Sequence, residues 1–442
     1  MMAEQNGKTP AGLLARYNAI KILSQIFTSQ RALDELINTN PSYNKMAQRD
    51  RAFVRLILAT TLRRLGQIDE LLKIYLKRPL PKKAGAVRDI LRIGIAQIIC
   101  LKTPAHAVVD ISVRLCVKTR NPGQKGLVNA VLRKVDREGE GKFLKLDPLL
   151  LNTPKWLWNG WINSFGEETC RAIAQAHLCV PPLNLTVKGN SKNWAKILDA
   201  EILPTGSICL KEIGKVDELP GFETGEWWVQ DTAAALPARI LLSAVKRNKN
   251  PCLLDLCAAP GGKTAQLVSS GAIVTALDLS KKRLKVLRQN LKRLKLDATI
   301  IHEDANNFSP PHSVDGILLD APCTATGTIR RHPEILWTKK PDEIKRLVQK
   351  QVLLINHAIN LLSPGGILVY SVCSLQYEEG PGLIKRILDN RCDIKRLSIN
   401  PEDFGLPQML QTKDGDIQSL PSHFEEYGGM DGFYISCLCL EN

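Results

Sequence analysis

The stretch that decides the fold is LLDLCAAPGGKTAQL, Leu253 to Leu267. Its apolar start reads as a short buried strand, Cys257 to Lys263 as a turn of small residues, and the rest as the opening of an amphipathic helix. The paired glycines let the backbone approach a ligand closely and present its N–H groups at the helix start. A dinucleotide-binding turn is spaced G-x-G-x-x-G, and this one is not. Downstream, AIVTALD (Ala272 to Asp278) is a second strand that ends in an acid, the usual place of a ribose-binding carboxylate. ATIIHEDA (Ala298 to Ala305) then sets Asp304 after a third strand, suited to an adenine amino group. Small turn, acid and acid at successive strand ends fit S-adenosylmethionine. The alternation of strands and helices from about residue 250 predicts an α/β doubly wound, Rossmann-like parallel sheet.

Two further apolar runs, GILLD (Gly316 to Asp320) and GILVY (Gly366 to Tyr370), read as buried strands of the same sheet. Each leads to a cysteine: Cys323 in DAPCTATG (Asp320 to Gly327) and Cys373 in YSVCSLQYEE (Tyr370 to Glu379). Residues just past such strand ends face the crevice in which open α/β sheets bind ligands. Two thiols in one crevice suggest covalent chemistry on an electrophilic carbon. Carbon 5 of cytosine is a poor nucleophile, and a thiolate adding to carbon 6 activates it. Asp320 is three residues before Cys323 and could contact ring nitrogen 3, with Pro322 stiffening the loop. The expected chemistry is therefore methyl transfer to carbon 5 of a cytosine. Spacing alone leaves open which thiol attacks.

Upstream the pattern changes. Leu13, Tyr17, Ile20, Leu23 and Phe27 recur at helical spacing, and a second helix over Phe53, Ile57 and Thr60 has Asp50 as candidate N-cap. Further helices are expected over Ile68 to Leu76, Val87 to Leu101, Ala105 to Val117 and Lys125 to Val135. Residues 1–140 thus read as an all-helical bundle, and DREGEGK (Asp136 to Lys142) as a polar linker. Residues 145–230 are expected to form a small α+β module, with strands in LNLTVK (Leu183 to Lys188) and SICLKEI (Ser207 to Ile213). Residues 231–442 make the third domain, which opens with a helix near Asp231 and Thr232.

With 60 Lys and Arg against 44 Asp and Glu among 442 residues, the net charge is +16. Such an excess favours a polyanionic partner through counterion release. KKRLKVLRQNLKRLK (Lys281 to Lys295) has eight basic residues and no acid, opposite a stripe of Leu284, Leu287, Leu291 and Leu294. Arg330 and Arg331, close after the Cys323 loop, are the better candidates to grip an RNA phosphate. His332 reads as structural. No run of 18 apolar residues predicts a membrane span, and MMAEQNGKTPAG lacks a secretory apolar stretch. The 12 cysteines show no C-x-x-C pair and no zinc spacing, so no metal is expected, and a reducing cytoplasm is.

DLCAAPGGKT, DAPCTATGTIRRHPEI and VCSLQYEEG, in that order, resemble the motifs of the RNA 5-methylcytosine methyltransferases of the RsmB/Sun family. RDRAFVRLILATTLRRL, LRIGIAQ and GLVNAVLRKV resemble the NusB-type RNA-binding fold that this family carries at its N-terminus. The resemblance implies Cys373 as the nucleophile and Cys323 as an aid to product release. It implies cofactor contacts from Cys257, Ala258, Ala259, Pro260, Gly261, Gly262 and Lys263, and from Asp278, Asp304 and Asp320, with Lys263 also orienting the reacting groups. It implies a cytosine of small-subunit ribosomal RNA as substrate. A monomer is expected. Val372 stands where the family usually has Thr, and a lost hydroxyl there could alter loop hydrogen bonding. Three rival readings are a transfer-RNA methyltransferase of the same catalytic family, a DNA cytosine methyltransferase attacking through Cys323, and a non-catalytic RNA-binding or antitermination protein.

Overall fold

The computed structural model describes residues 12–81, 84–211, 215–245 and 250–441. The first eleven residues of the MMAEQNGKTPAG stretch, and Glu212 and Ile213 of the expected SICLKEI strand, lie outside the described residues. The chain divides into two compact units. One holds the chain up to Leu178 together with His332–Lys339, and the other holds Cys179–Arg331 and Lys340 onward.

The first unit is helical. Its longer helices are Leu13–Ser29, Gln48–Arg63, Leu65–Tyr75, Gly85–Ile95, Ala105–Lys118 and Lys125–Lys134, followed by Lys155–Phe165 and Glu167–His177. The helical-spacing residues Ile20, Leu23, Ile57, Leu58, Ile68, Leu91 and Leu132 are all buried in one core. Asp50 is not an N-cap. The helix starts at Gln48 after Ala47, and Asp50 sits in its first turn, where a negative charge complements the helix dipole. DREGEGK is not a linker but helix, Val135–Gly139 and Glu140–Leu144 in direct continuation. Gly139 is buried there, where a Cβ would crowd Val135 and Ile99.

Two helices of the expected α+β module, Lys155–Phe165 and Glu167–His177, belong instead to the helical unit. A reciprocal pair fastens this stretch: Asn152 Oδ1 accepts the Gln67 N–H (3.1 Å) and Asn152 Nδ2 donates to Gln67 Oε1 (2.9 Å). Residues 332–339 are anchored in the same unit. Glu334 Oε1 accepts the Leu33 N–H (3.0 Å), and Trp337 Nε1 donates to the Leu62 carbonyl (2.8 Å).

The second unit contains two sheets. The smaller consists of β1 (Leu183–Val187), β2 (Glu201–Ile202), β3 (Ile208–Leu210) and β4 (Trp227–Val229), antiparallel in the order β2-β3-β1-β4. The larger begins with β5 (Cys252–Leu256), β6 (Ile273–Leu277), β7 (Thr299–Ile301), β8 (Val314–Asp320) and β9 (Leu362–Val372). It ends with β10 (Ile394–Leu397), β11 (Ile417–Ser419) and β12 (Phe433–Leu440). The order is β10-β12-β9-β8-β5-β6-β7, with β11 beside β12. The strands from β5 to β9 run parallel, and β12 pairs antiparallel to β9. The order reverses around β5, flanked by β6 and β8, which creates the crevice at the carboxyl ends where such sheets take ligands. The helix expected near Asp231 begins at Leu236, because the Asp231 carboxylate accepts the Ala233 N–H and ties down a turn first.

Candidate active site

The turn after β5 carries two left-handed residues, Cys257 (φ 65°) and Gly261 (φ 103°), and the Ala259–Pro260 bond is cis. Glycine is required at 261 both by this φ and because a Cβ would meet Leu287 Cγ at 2.9 Å. The turn is fastened from β6. Ala258 N–H donates to the Leu277 carbonyl (2.8 Å), and Ala259 N–H to Asp278 Oδ2 (3.2 Å). Asp278 is only 4% exposed, its Oδ1 accepts the Ser280 N–H (2.8 Å), and Arg283 Nη1 is 3.4 Å from Oδ2. Asp304 is half-buried, and its Oδ1 accepts from the Asn306 backbone and side chain.

One carboxylate at this site escaped sequence reading. Asp255 is fully buried within β5, accepts the Thr264 hydroxyl on Oδ2 (2.6 Å), and its Oδ1 has no partner among the described residues. Burial pushes its carboxyl up to about 7. The signal was present: an acid in the middle of the apolar run LLDLC. Burial, then Asp320, Asp278 and Asp255, push the Cys257 thiol up to about 12. The three carboxylates converge on the turn that was expected to hold the cofactor. A sulfonium carries positive charge, and an acid-rich cradle of alanine and glycine backbone fits S-adenosylmethionine better than the pyrophosphate of a dinucleotide.

Asp320 closes β8 opposite this turn. Its Oδ2 accepts Lys263 Nζ (2.6 Å) and its Oδ1 accepts the Ser371 hydroxyl (3.1 Å). The Lys263 ammonium also lies over the Phe433 ring, 5.1 Å from its centre. The Lys263 side chain is 11% exposed and that of Asp320 30%, so the carboxylate keeps an open side.

The two cysteines meet. Cys323 Sγ and Cys373 Sγ are 3.5 Å apart, and both residues are half-buried. The hydrogen bond with Cys373, followed by burial, pushes the Cys323 thiol well up. Either sulfur can donate to the other across this contact. The loops that carry them are bonded directly: Gly327 N–H donates to the Cys373 carbonyl (2.9 Å) and Gly432 N–H to the Gly327 carbonyl (2.8 Å). A Cβ on Gly327 would collide with the Gly432 carbonyl, which is why the loop needs glycine there. Beneath the thiols, Thr324, Thr326, Ser374, Gln351 and Glu379 form a buried polar cluster. Glu379 closes the YSVCSLQYEE motif, but nothing in its local pattern marks it as buried. Val372 is fully buried in the apolar core beside β8, so the residue before Cys373 packs and does not bond to the loop.

Neither arginine is placed to grip a phosphate. Arg330 is 1% exposed, donates to the Gly428 carbonyl and to Asp231 Oδ2 (3.3 Å), and lies 3.8 Å from Asp431 Oδ1. A guanidinium held this deeply between carboxylates cannot reach a phosphate; Arg330 is a structural clasp. Arg331 has a 39% exposed side chain, but its Nε (2.9 Å) and Nη2 both donate to Asp431 Oδ2, so its charge is committed within the fold. His332 lies 3.7 Å from Glu334. Among the described residues no cluster could hold a metal ion, and no helix is long and apolar enough to cross a membrane.

The family model of the 16S rRNA methyltransferases RsmB/F matches residues 242–439, and that of the NusB family matches residues 13–137. Ribosomal RNA small subunit methyltransferase B of Pseudomonas putida is 33% identical over 96% of this chain and 98% of its own. The crystal structure of PH0851 superposes with a TM-score of 0.77 at 22% identity, covering 99% of this chain and 100% of that one, which shows a shared fold. A methyltransferase homolog protein from Pyrococcus horikoshii gives a TM-score of 0.52 at 27% identity, over 67% of this chain and 96% of that one.

Proposed function

The chain belongs to the RsmB/F family of 16S rRNA methyltransferases with an N-terminal NusB domain, and on that premise we propose how its residues perform the reaction. It is an S-adenosylmethionine-dependent rRNA (cytosine-5)-methyltransferase. Residues Cys257 to Lys263 and Asp278, Asp304 and Asp320 would hold the cofactor, the acids taking its ribose, adenine and cationic end. When bound, it supplies an electrophilic methyl group.

The Cys373 thiolate adds to carbon 6 of the cytosine, and the displaced electron pair moves through the ring toward nitrogen 3. A proton relayed from the Lys263 ammonium through the Asp320 carboxyl goes to that nitrogen as the pair arrives, because an ionised carboxylate alone can only accept. Carbon 5, now enamine-like, takes the methyl group. A base then takes the proton on carbon 5, the freed pair re-forms the carbon 5–carbon 6 double bond, and the carbon–sulfur bond breaks with its electron pair returning to Cys373. Cys323 assists this release. The target base must be unpaired or flipped out to reach the thiols.

The observation that supports this reading above all is the 3.5 Å between the two sulfurs beside the Lys263–Asp320 pair. Replacing each cysteine tests it. Cys373→Ala should abolish methylation and RNA capture, whereas Cys323→Ala should accumulate a protein–RNA adduct that survives denaturing electrophoresis. An adduct from the Cys373→Ala variant and none from Cys323→Ala would overturn the assignment. The helical unit up to Leu178 and the four-stranded sheet of β1 to β4 serve as RNA-binding parts of a cytoplasmic monomer acting on free or partly assembled rRNA. Methylation mapping on ribosomal and transfer RNA from a deletion strain checks the substrate, and sedimentation checks the monomer.

A further inference from the structure

Glu379 has no part in the reaction as derived, yet it sits where both reactive loops converge. It is 0% exposed. Oε1 accepts the Thr324 N–H (3.0 Å) and Gln351 Nε2 (3.1 Å). Oε2 accepts the hydroxyls of Thr324 (2.5 Å) and Ser374 (2.5 Å). Thr324 directly follows Cys323 and Ser374 directly follows Cys373. One carboxylate thus grips the neighbour of each thiol. Its own backbone is held in turn, since the Tyr370 hydroxyl donates to the Glu379 carbonyl (2.7 Å). Gln351 ties the same carboxylate to the Pro322 carbonyl (2.9 Å) just ahead of Cys323. Burial leaves the Glu379 carboxyl above its ordinary range although the Ser374, Thr324 and Gln351 donors pull the other way, and those donors engage both of its oxygens.

We propose that Glu379 is a positioning residue: by holding Thr324 and Ser374 together it sets the sulfur-to-sulfur spacing at which Cys373 attacks and Cys323 assists release. The inference rests on the two-thiol reading above. Glu379 itself touches neither sulfur in this role, and it makes none of the bonds expected to hold the cofactor.

The test uses the full chain carrying Glu379→Ala or Glu379→Gln. Diamide joins two thiols as a disulfide, takes their two hydrogens and becomes a hydrazine, so the rate of Cys323–Cys373 coupling reads their spacing without RNA or cofactor. Peptide mapping by mass spectrometry identifies that pair among the other cysteines. In Glu379→Ala the coupling should slow at least about tenfold. Single-turnover methylation should fall on the order of 10²-fold, while the affinity for S-adenosylmethionine stays within about twofold, the signature of lost positioning rather than lost binding. Glu379→Gln keeps one acceptor oxygen and should fall between wild type and Glu379→Ala. A folded Glu379→Ala chain that couples and methylates at the wild-type rate overturns the proposal. If Glu379→Ala does not fold, unchanged coupling and methylation in Glu379→Gln overturn it equally. Slowed coupling in the variants, with no cytosine methylation even by the wild type, would uphold the positioning role and sink the functional reading instead.

Discussion

The two sulfurs, 3.5 Å apart, carry different tasks. The hydrogen bond with Cys373, followed by burial, pushes the Cys323 thiol up. A thiol with a raised pKa has little thiolate at neutral pH, so Cys323 should be alkylated by iodoacetamide more slowly than Cys373 at pH 7. Raising the pH should narrow the gap, and mass spectrometry of the two peptides measures it. Asp320 offers a second check. Asp320→Asn keeps the shape but removes the charge that holds Lys263 Nζ at 2.6 Å, and single-turnover methylation should fall by about 10² to 10⁴. Both cysteines and Asp320 were legible in the sequence because each lies just past an apolar run of strand length. Arg330 was misread for the opposite reason. Its partners Asp231 and Asp431 are about a hundred residues away in either direction, and no local pattern announces that a basic residue is spoken for. Glu379 was missed because a glutamate among polar loop residues looks solvated until the fold closes over it.

The strands and their connecting turns govern the next scale. The order of β5, β6, β7, β8 and β9, with a functional group at most of their carboxyl ends, follows from the alternation of apolar runs and helices. The antiparallel edge of the sheet does not. Tyr434 pairs with Val372 across sixty-two positions, and period-2 hydrophobicity at the C-terminus cannot name its partner. DREGEGK was read as a linker from its composition, but burial of Val135, Gly139 and Phe143 overrides that local preference. At the turn after β5, Asp255 makes a claim about pH. Its folded pKa of about 7 stands above the ordinary 3.8, so the native state binds this proton more tightly than the unfolded chain does. Its contribution to stability is therefore fully present below pH 3.8 and declines as pH rises to about 7. Asp255→Asn should flatten this part of the urea-denaturation profile; an unchanged slope would refute the assignment. Gly327→Ala should destabilise the unit by about 2–3 kcal/mol, because the opposing atom is a backbone carbonyl that cannot swing away. Val372→Thr should cost about 1–3 kcal/mol with little effect on the methylation rate of the folded fraction, since a hydroxyl there enters an apolar core.

Over the whole molecule, charge decides how the substrate is met. A net charge of +16 makes binding to rRNA a counterion-release process. The logarithm of the affinity for rRNA should fall linearly and steeply with the logarithm of salt concentration, as filter binding can measure. Charge reversal of the exposed Lys281, Lys285 and Arg288 should flatten that slope if the helix Lys281–Leu294 touches RNA, and leave it unaltered if its basic face is merely hydrated.

The compact units are not consecutive in the chain. His332–Lys339 is translated with the catalytic part but folds with the helical one, where Trp337 and Glu334 find their bonding partners. A ribosome must therefore release most of the protein before its amino-terminal half can finish folding. Engineers who wish to swap one half for that of a cousin would have to graft this short insert as well, or leave a tryptophan and a buried glutamate stranded in water.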